Sequence, residues 1–169
     1  SVADERIHQL LQEQSSAPAN VILKDERVVE FDENPEKVWE NIWQIGGEKG
    51  WYYGNLLWQI RGMMDKMLGG VGLRRGRRSA NDLKPGDALD FWRVLVAQPD
   101  QKHLLLLAEM KVPGKAWLEF KILEENQKHQ LVQTAMFLPK GLFGRLYWYA
   151  LLPVHEIIFS RMARNIVNK

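Results

Sequence analysis

The chain has 169 residues, 46% of them hydrophobic and 26% charged, with 23 Lys+Arg against 21 Asp+Glu and no cysteine. That length suits one domain, able to bury roughly 70% of its unfolded surface without staples; a net charge of +2 excludes a generally basic chain of the nucleic-acid-binding kind. The missing cysteines exclude disulfides and thiolate metal sites and fit a reducing, cytoplasmic setting.

The opening SVADERIHQLLQEQ is charged from Asp4 onward and lacks the apolar run of a signal peptide. Ile7, Leu10 and Leu11 stand at helical spacing there, and SSAPAN, 15–20, is a linker by composition. Residues 1–27 are therefore expected to be a helical junction and 28–169 the folded domain. VVEF, 28–31, reads as a strand. A helix follows, with Asn34 as cap, Pro35 in the first position, Val38, Ile42 and Ile45 on one face and Gly46-Gly47 as the stop. Residues 55–68 read as a second helix with the stripe Leu56, Leu57, Ile60, Met64, Met67 and Leu68.

Strands come next, over 71–77, 88–97, 103–111, 116–124 and 130–138. A turn at Pro85-Gly86-Asp87 precedes 88–97, VPGK (112–115) joins 103–111 to 116–124 as a hairpin, and EENQKH (124–129) turns the chain into 130–138. A final helix is expected from about Pro153 to Val167, with Val154, Ile157, Ile158, Met162 and Ile166 on one stripe. GLFGRLYWYALLPVHEIIF, 141–159, is long enough for a bilayer, but Arg145, Pro153, His155 and Glu156 argue against a transmembrane segment. Strands grouped together between helices define an α+β class. One curved antiparallel sheet would hold the last helix on its concave face, with an apolar pocket between them.

GGVGLRRGRR, 69–78, resembles a dinucleotide fingerprint through Gly70, Gly72 and Gly76. That fingerprint works between a strand and a following helix. Here a helix precedes it and no helical stripe follows, so it reads as a helix stop leading into a strand. The arginines are solvated, or one of them meets a ligand carboxylate or phosphate. Nucleic-acid binding would need exposed aromatics among them, and the nearest, Phe91 and Trp92, sit in an apolar strand.

In LDFWRVLV, alternation puts Phe91, Arg93 and Leu95 on one face and Asp90, Trp92, Val94 and Val96 on the other. Arg93 and Glu109 form either a structural ion pair or a pocket pair with a tuned carboxylate. The candidate ligand-binding residues are Trp92, Arg93, Glu109, Trp117, Phe120 and Gln133 on the strands and His155 on the last helix. Arg93, Glu109 and Gln133 are polar residues among apolar ones, where burial requires a partner. His155 is either an acid–base group facing the cavity or a plain surface or core histidine. His103 and His129 sit at turns and are expected to be solvated, and no metal-site spacing or nucleophile elbow is present. Seven tryptophans, Trp39, Trp43, Trp51, Trp58, Trp92, Trp117 and Trp148, fit a pocket wall or an aromatic core equally well.

At IWQIGGEKGWYY, LRRGRR, LKPGDALDFWRV, LLLLAEMKVPGKAWLEF, QTAMFLPKGLFGRLYWY and LPVHEIIF the chain resembles the domain of unknown function at the C-terminus of bacterial NmrA-like NAD(P)-binding proteins (atypical short-chain dehydrogenases/epimerases). That family is similar to the START, polyketide-cyclase (SRPBCC) superfamily, which implies a helix-grip fold. The resemblance implies an upstream NAD(P)-binding domain as partner, with NAD(P) bound there and no cofactor in this chain. It implies a module for a hydrophobic small molecule such as a lipid, quinone, isoprenoid or polyketide. The alternatives are a cyclase or hydratase using a cavity Glu or His, and a protein-interaction or dimerisation domain.

Overall fold

The structure, a computed structural model, describes residues 22–46, 77–79, 81–90, 92–109 and 114–168. The helix expected over 55–68, most of the strand expected over 71–77 and the glycines of 69–76 lie outside the described residues, as does the junction at 1–21. Strand β1 spans Leu23–Phe31, helix α1 Pro35–Trp43, β2 Ala88–Leu89, β3 Trp92–Gln98, β4 His103–Ala108, β5 Gly114–Glu125, β6 Lys128–Pro139 and helix α2 Gly141–Asn168. The strands form one antiparallel sheet in the order β1-β6-β5-β4-β3-β2. With α2 packed on one face of that sheet, this is the helix-grip architecture, an α+β fold.

The turns follow from their residues. Asp87 N–H donates to the Lys84 carbonyl at 3.0 Å across Pro85-Gly86, and Gly86 takes φ 93, which proline followed by glycine supplies at little cost. Asn126 and Gln127 both have positive φ, the two-residue hairpin geometry that matches strand twist between β5 and β6. α1 begins as its sequence predicts, with the Asn34 side chain accepting from Glu36 N–H at 3.0 Å and Pro35 in the first turn.

Pairing sorts the side chains into two faces. Four rows cross the inner face: Trp92 beside Ala108; Val94, Leu106, Leu118 and Ala135; Leu104, Phe120, Gln133 and Arg27; Ile122, Leu131 and Val29. Leu104, Leu106, Leu118, Phe120 and Leu131 are fully buried there, each worth about 1.5–3 kcal/mol of transfer free energy. Ile158, Phe159, Met162, Ala163 and Ile166 of α2 and Val38, Trp39 and Ile42 of α1 complete this core. The backbone of α2 approaches β6 and β1 most closely, while α1 packs against β5 and α2. Asn41 Nδ2 ties the two helices by donating to the Ile166 carbonyl at 2.8 Å.

Four elements differ from their sequence-based expectation. The strand expected over 88–97 turns back at Asp90, φ 54, into the antiparallel pair β2 and β3. β1 begins at Leu23, because Asp25 and Arg27, inner-face residues that break the apolar alternation, neutralise each other through two hydrogen bonds of 2.8 and 3.2 Å. A bulge between Val94 and Val96 pairs Val94 with Leu106 and Val96 with Leu105, so Val96 leaves the face it was expected to share with Trp92 and Val94. α2 starts at Gly141 and carries Pro153 in its interior instead of at its start. Packing of the first half outweighs the proline penalty: Trp148 is buried and stacks on Phe137, with ring centroids 5.8 Å apart and planes 5° apart. No helix among the described residues is long and apolar enough to cross a membrane.

Candidate functional site

The seven candidate residues divide between the two faces of the sheet. Trp92, Phe120 and Gln133 lie on the inner face under α2, and His155 of α2 belongs to the same interior, its ring 6.0 Å from Trp148 and 5.0 Å from Phe159. Arg93, Glu109 and Trp117 lie on the opposite face: Arg93 pairs with Leu107 and Leu107 with Trp117, alternating with the inner Leu106 and Leu118. The sheet separates them from α2. Arg93 Nε donates to Glu109 Oε1 at 2.7 Å and Arg93 Nη1 to the Gly86 carbonyl at 2.8 Å, the structural ion pair of the two readings. With both side chains about one third exposed, the pair contributes little on its own.

Among the described residues the interior is fully buried toward α1 and half-buried at its other end. Toward α1, Leu104, Phe120, Leu131 and Ile42 are each 0% exposed. At the other end, Ala108 and Ala116 are half-buried although they occupy inner positions of the sheet. Leu151, Leu152 and His155 of α2 are half-buried as well, and helical spacing places them on the Trp148 face. Ala135, between Leu118 and Gln133 in this surface, is the third small residue. Ala108 and Ala116 on the sheet and Leu151, Leu152 and His155 on α2 are thus the half-buried residues of this interior at the end away from α1.

Polar groups in this interior are few. Gln133 is 1% exposed, and its Nε2 donates to the Phe159 carbonyl at 3.2 Å. Trp92 is 4% exposed; Asp90, two residues earlier and beside Gly46, is 5% exposed with φ 54. Asp90 was absent from the sequence candidates; a left-handed aspartate between two short strands leaves no periodic signal. Phe137 and Phe159 were absent as well, and Trp148 stood only among the seven tryptophans that fit a pocket wall or an aromatic core, since α2 was expected to start too late to carry it. Among the described residues no cluster of His, Asp and Glu is arranged to hold a metal.

The arginines of the glycine-rich stretch that can be placed are structural. Arg77 Nη1 donates to the carbonyls of Trp43 and Ile45 at 2.8 and 2.9 Å, and its Nε donates to Ser79 at 2.9 Å. A guanidinium thereby caps the carbonyl-rich C-terminus of α1. Arg78 bonds Asp87 at 3.0 Å and Asp82 at 3.3 Å, and Arg78 holds the Asp87 carboxyl below its ordinary range.

Two histidines expected in solvent are otherwise engaged. His103 Nε2 lies 2.8 Å from Glu119 Oε2 on the outer face, both side chains mostly buried. Burial pushes the Glu119 carboxyl up, but the hydrogen bond from His103 and the Lys121 and His103 charges outweigh it and hold the group below its ordinary range. His129 stacks on Phe31 at 5.7 Å.

The family model described as "Protein of unknown function (DUF2867)" matches residues 17–162, and the chain belongs to that family. No curated protein matches it significantly. Among solved structures, it is similar to norcoclaurine synthase from Thalictrum flavum at 8% identity and TM-score 0.53, covering 89% of this chain and 87% of that one. ZhuI aromatase/cyclase from Streptomyces sp. R1128 matches at 13% identity and TM-score 0.51, covering 88% and 93%. Ginseng major latex-like protein 151 from Panax ginseng matches at 6% identity and TM-score 0.51, covering 87% and 96%. At these identities the likeness is one of fold, the START-like helix grip.

Proposed function

We propose that this chain is a binding module for a hydrophobic small molecule, held between the inner face of the sheet and α2. One observation carries the reading: the backbone of α2 approaches β6 and β1 most closely, and the small inner-face residues Ala108 and Ala116 remain half-buried at the end away from α1. An apolar cleft with a few convergent polar groups is the usual form of a small-molecule site. The sequence resemblance supports a further role as the C-terminal accessory domain of an NAD(P)-binding, oxidoreductase-like protein, with the dinucleotide on the upstream domain and none on this chain. Native mass spectrometry of the purified protein, followed by organic extraction, tests the binding reading. A stoichiometric apolar compound released on extraction supports it. An empty chain that also takes up no fatty alcohol, quinone or isoprenoid contradicts it.

A second reading, a cyclase-type enzyme, is favoured by His155, an imidazole between Trp148 and Phe159 in the same interior. Two of the fold neighbours are named as a synthase and an aromatase/cyclase. Neutral imidazole can both give and take a proton there. The readings separate by chemistry: a bound compound recovered unchanged supports the carrier, whereas conversion that His155→Gln abolishes without loss of binding supports the enzyme.

A further inference from the structure

Gln133 is 1% exposed, in the third row of the inner face, and its two amide ends have different fates. Nε2 donates to the Phe159 carbonyl of α2 at 3.2 Å. Oε1 is buried with no hydrogen-bond partner. Turning the amide over would set Oε1 against the Phe159 carbonyl, two acceptors face to face, so the helix fixes which end points where.

None of the side chains around Gln133 bonds Oε1. Phe120 is its partner on β5, and Leu131 and Ala135 flank it on β6. Arg27, its partner on β1, is committed to Asp25 by bonds of 2.8 and 3.2 Å. A buried acceptor left unmade is costly, more so than a buried apolar group of the same size. Among the described residues Arg27 is the only Lys or Arg on the inner face, and Asp25 already neutralises it. At Gln133 a ligand carboxylate would therefore meet an acceptor and no unneutralised Lys or Arg of the described inner face, and would lose its hydration there without compensation.

We propose that Gln133 Oε1 is the polar anchor of the interior site, and that the site selects a neutral apolar molecule carrying a hydroxyl or N–H donor over a carboxylate of similar shape. This rests on the binding reading above and narrows its ligand class. It also moves selection of the headgroup away from Arg93, which lies beyond the sheet.

Three naphthalene probes of similar shape test it on the full chain at pH 7, by quenching of tryptophan fluorescence and by calorimetry. 2-Naphthol offers a hydroxyl donor, 2-methoxynaphthalene has an oxygen without the donor, and 2-naphthoate is an anion. The expected result is at least tenfold tighter binding of 2-naphthol than of either other probe. In Gln133→Met, which keeps the volume and removes the acceptor, the preference should fall to about threefold or less. Equal binding of 2-naphthol and 2-methoxynaphthalene by the unaltered chain overturns the proposal, and does so whether or not the variant folds; an ordered water satisfying Oε1 would give that result. A preference that survives in a folded Gln133→Met also overturns it. Failure of all three probes to bind overturns the binding reading itself, a distinct outcome.

Discussion

Arg77 shows how a charged residue in a suggestive motif is absorbed by the fold. Its guanidinium serves the Trp43 and Ile45 carbonyls together, which lysine, with a single point charge, does less well. Arg77→Ala should destabilise the protein by about 2 kcal/mol, as expected for lost hydrogen bonds to a charged group, and Arg77→Lys should restore only part of this. Urea unfolding reads both; an unchanged midpoint for Arg77→Ala would show that water replaces the cap at no cost. The outer-face pair of His103 and Glu119 makes a second prediction. Because the folded Glu119 carboxyl sits below its ordinary 4.5, its contribution is present above that pH and is lost as pH falls through the lower folded value. Stability should therefore fall less steeply below about pH 4.5 in Glu119→Gln than in the unaltered chain. Parallel acid-unfolding curves would contradict this. Neither role was legible in the sequence. Alternation gives the face of a residue but not its cross-strand neighbour, and Glu119 meets His103 only through the β4–β5 register.

At the scale of elements, legibility tracked how cleanly each segment kept its period. β5 and β6 were read nearly to their ends because their inner positions, Leu118, Phe120, Ile122, Leu131 and Phe137, alternate with polar or smaller residues. β1 was read short because an inward Asp25–Arg27 pair looks like a loop until its two members are seen to satisfy each other. The first half of α2 was missed for a different reason. Leu142, Phe143, Leu146 and Tyr149 are 55–80% exposed opposite the buried Gly144 and Trp148, so the segment is apolar on all sides and shows no stripe. Pro153 then looked like a start. In the helix interior it lacks an N–H for the preceding turn and costs up to about 3 kcal/mol against alanine. Pro153 is exposed, so Pro153→Ala should stabilise the protein by about 1 kcal/mol after the entropy regained by the unfolded chain is allowed for. A loss of stability in thermal unfolding would mean that Pro153 itself helps set Trp148 and Phe159 against the sheet together.

For the whole molecule, the order of elements was enough to predict a curved sheet gripping a terminal helix, since a sheet must bury one face and one long helix was available to cover it. The composition of the interior was not. Trp92, Phe120 and Gln133 share the inner face and His155 lies on the helix that covers it, while Arg93, Glu109 and Trp117 face the other way, because strand alternation leaves open which face is concave. The central claim is that space remains between β3–β5 and α2. Adding three carbons at the half-buried end tests it most directly. In Ala116→Leu, a filled core would be overpacked and destabilised by about 1–3 kcal/mol, whereas a real cleft would accept the side chain. Calorimetric titration of 2-naphthol into folded Ala116→Leu, with urea unfolding alongside, should show binding weakened at least tenfold and stability equal to or above that of the unaltered chain. Unchanged binding in a destabilised protein would place the ligand elsewhere and leave the interior a solid core.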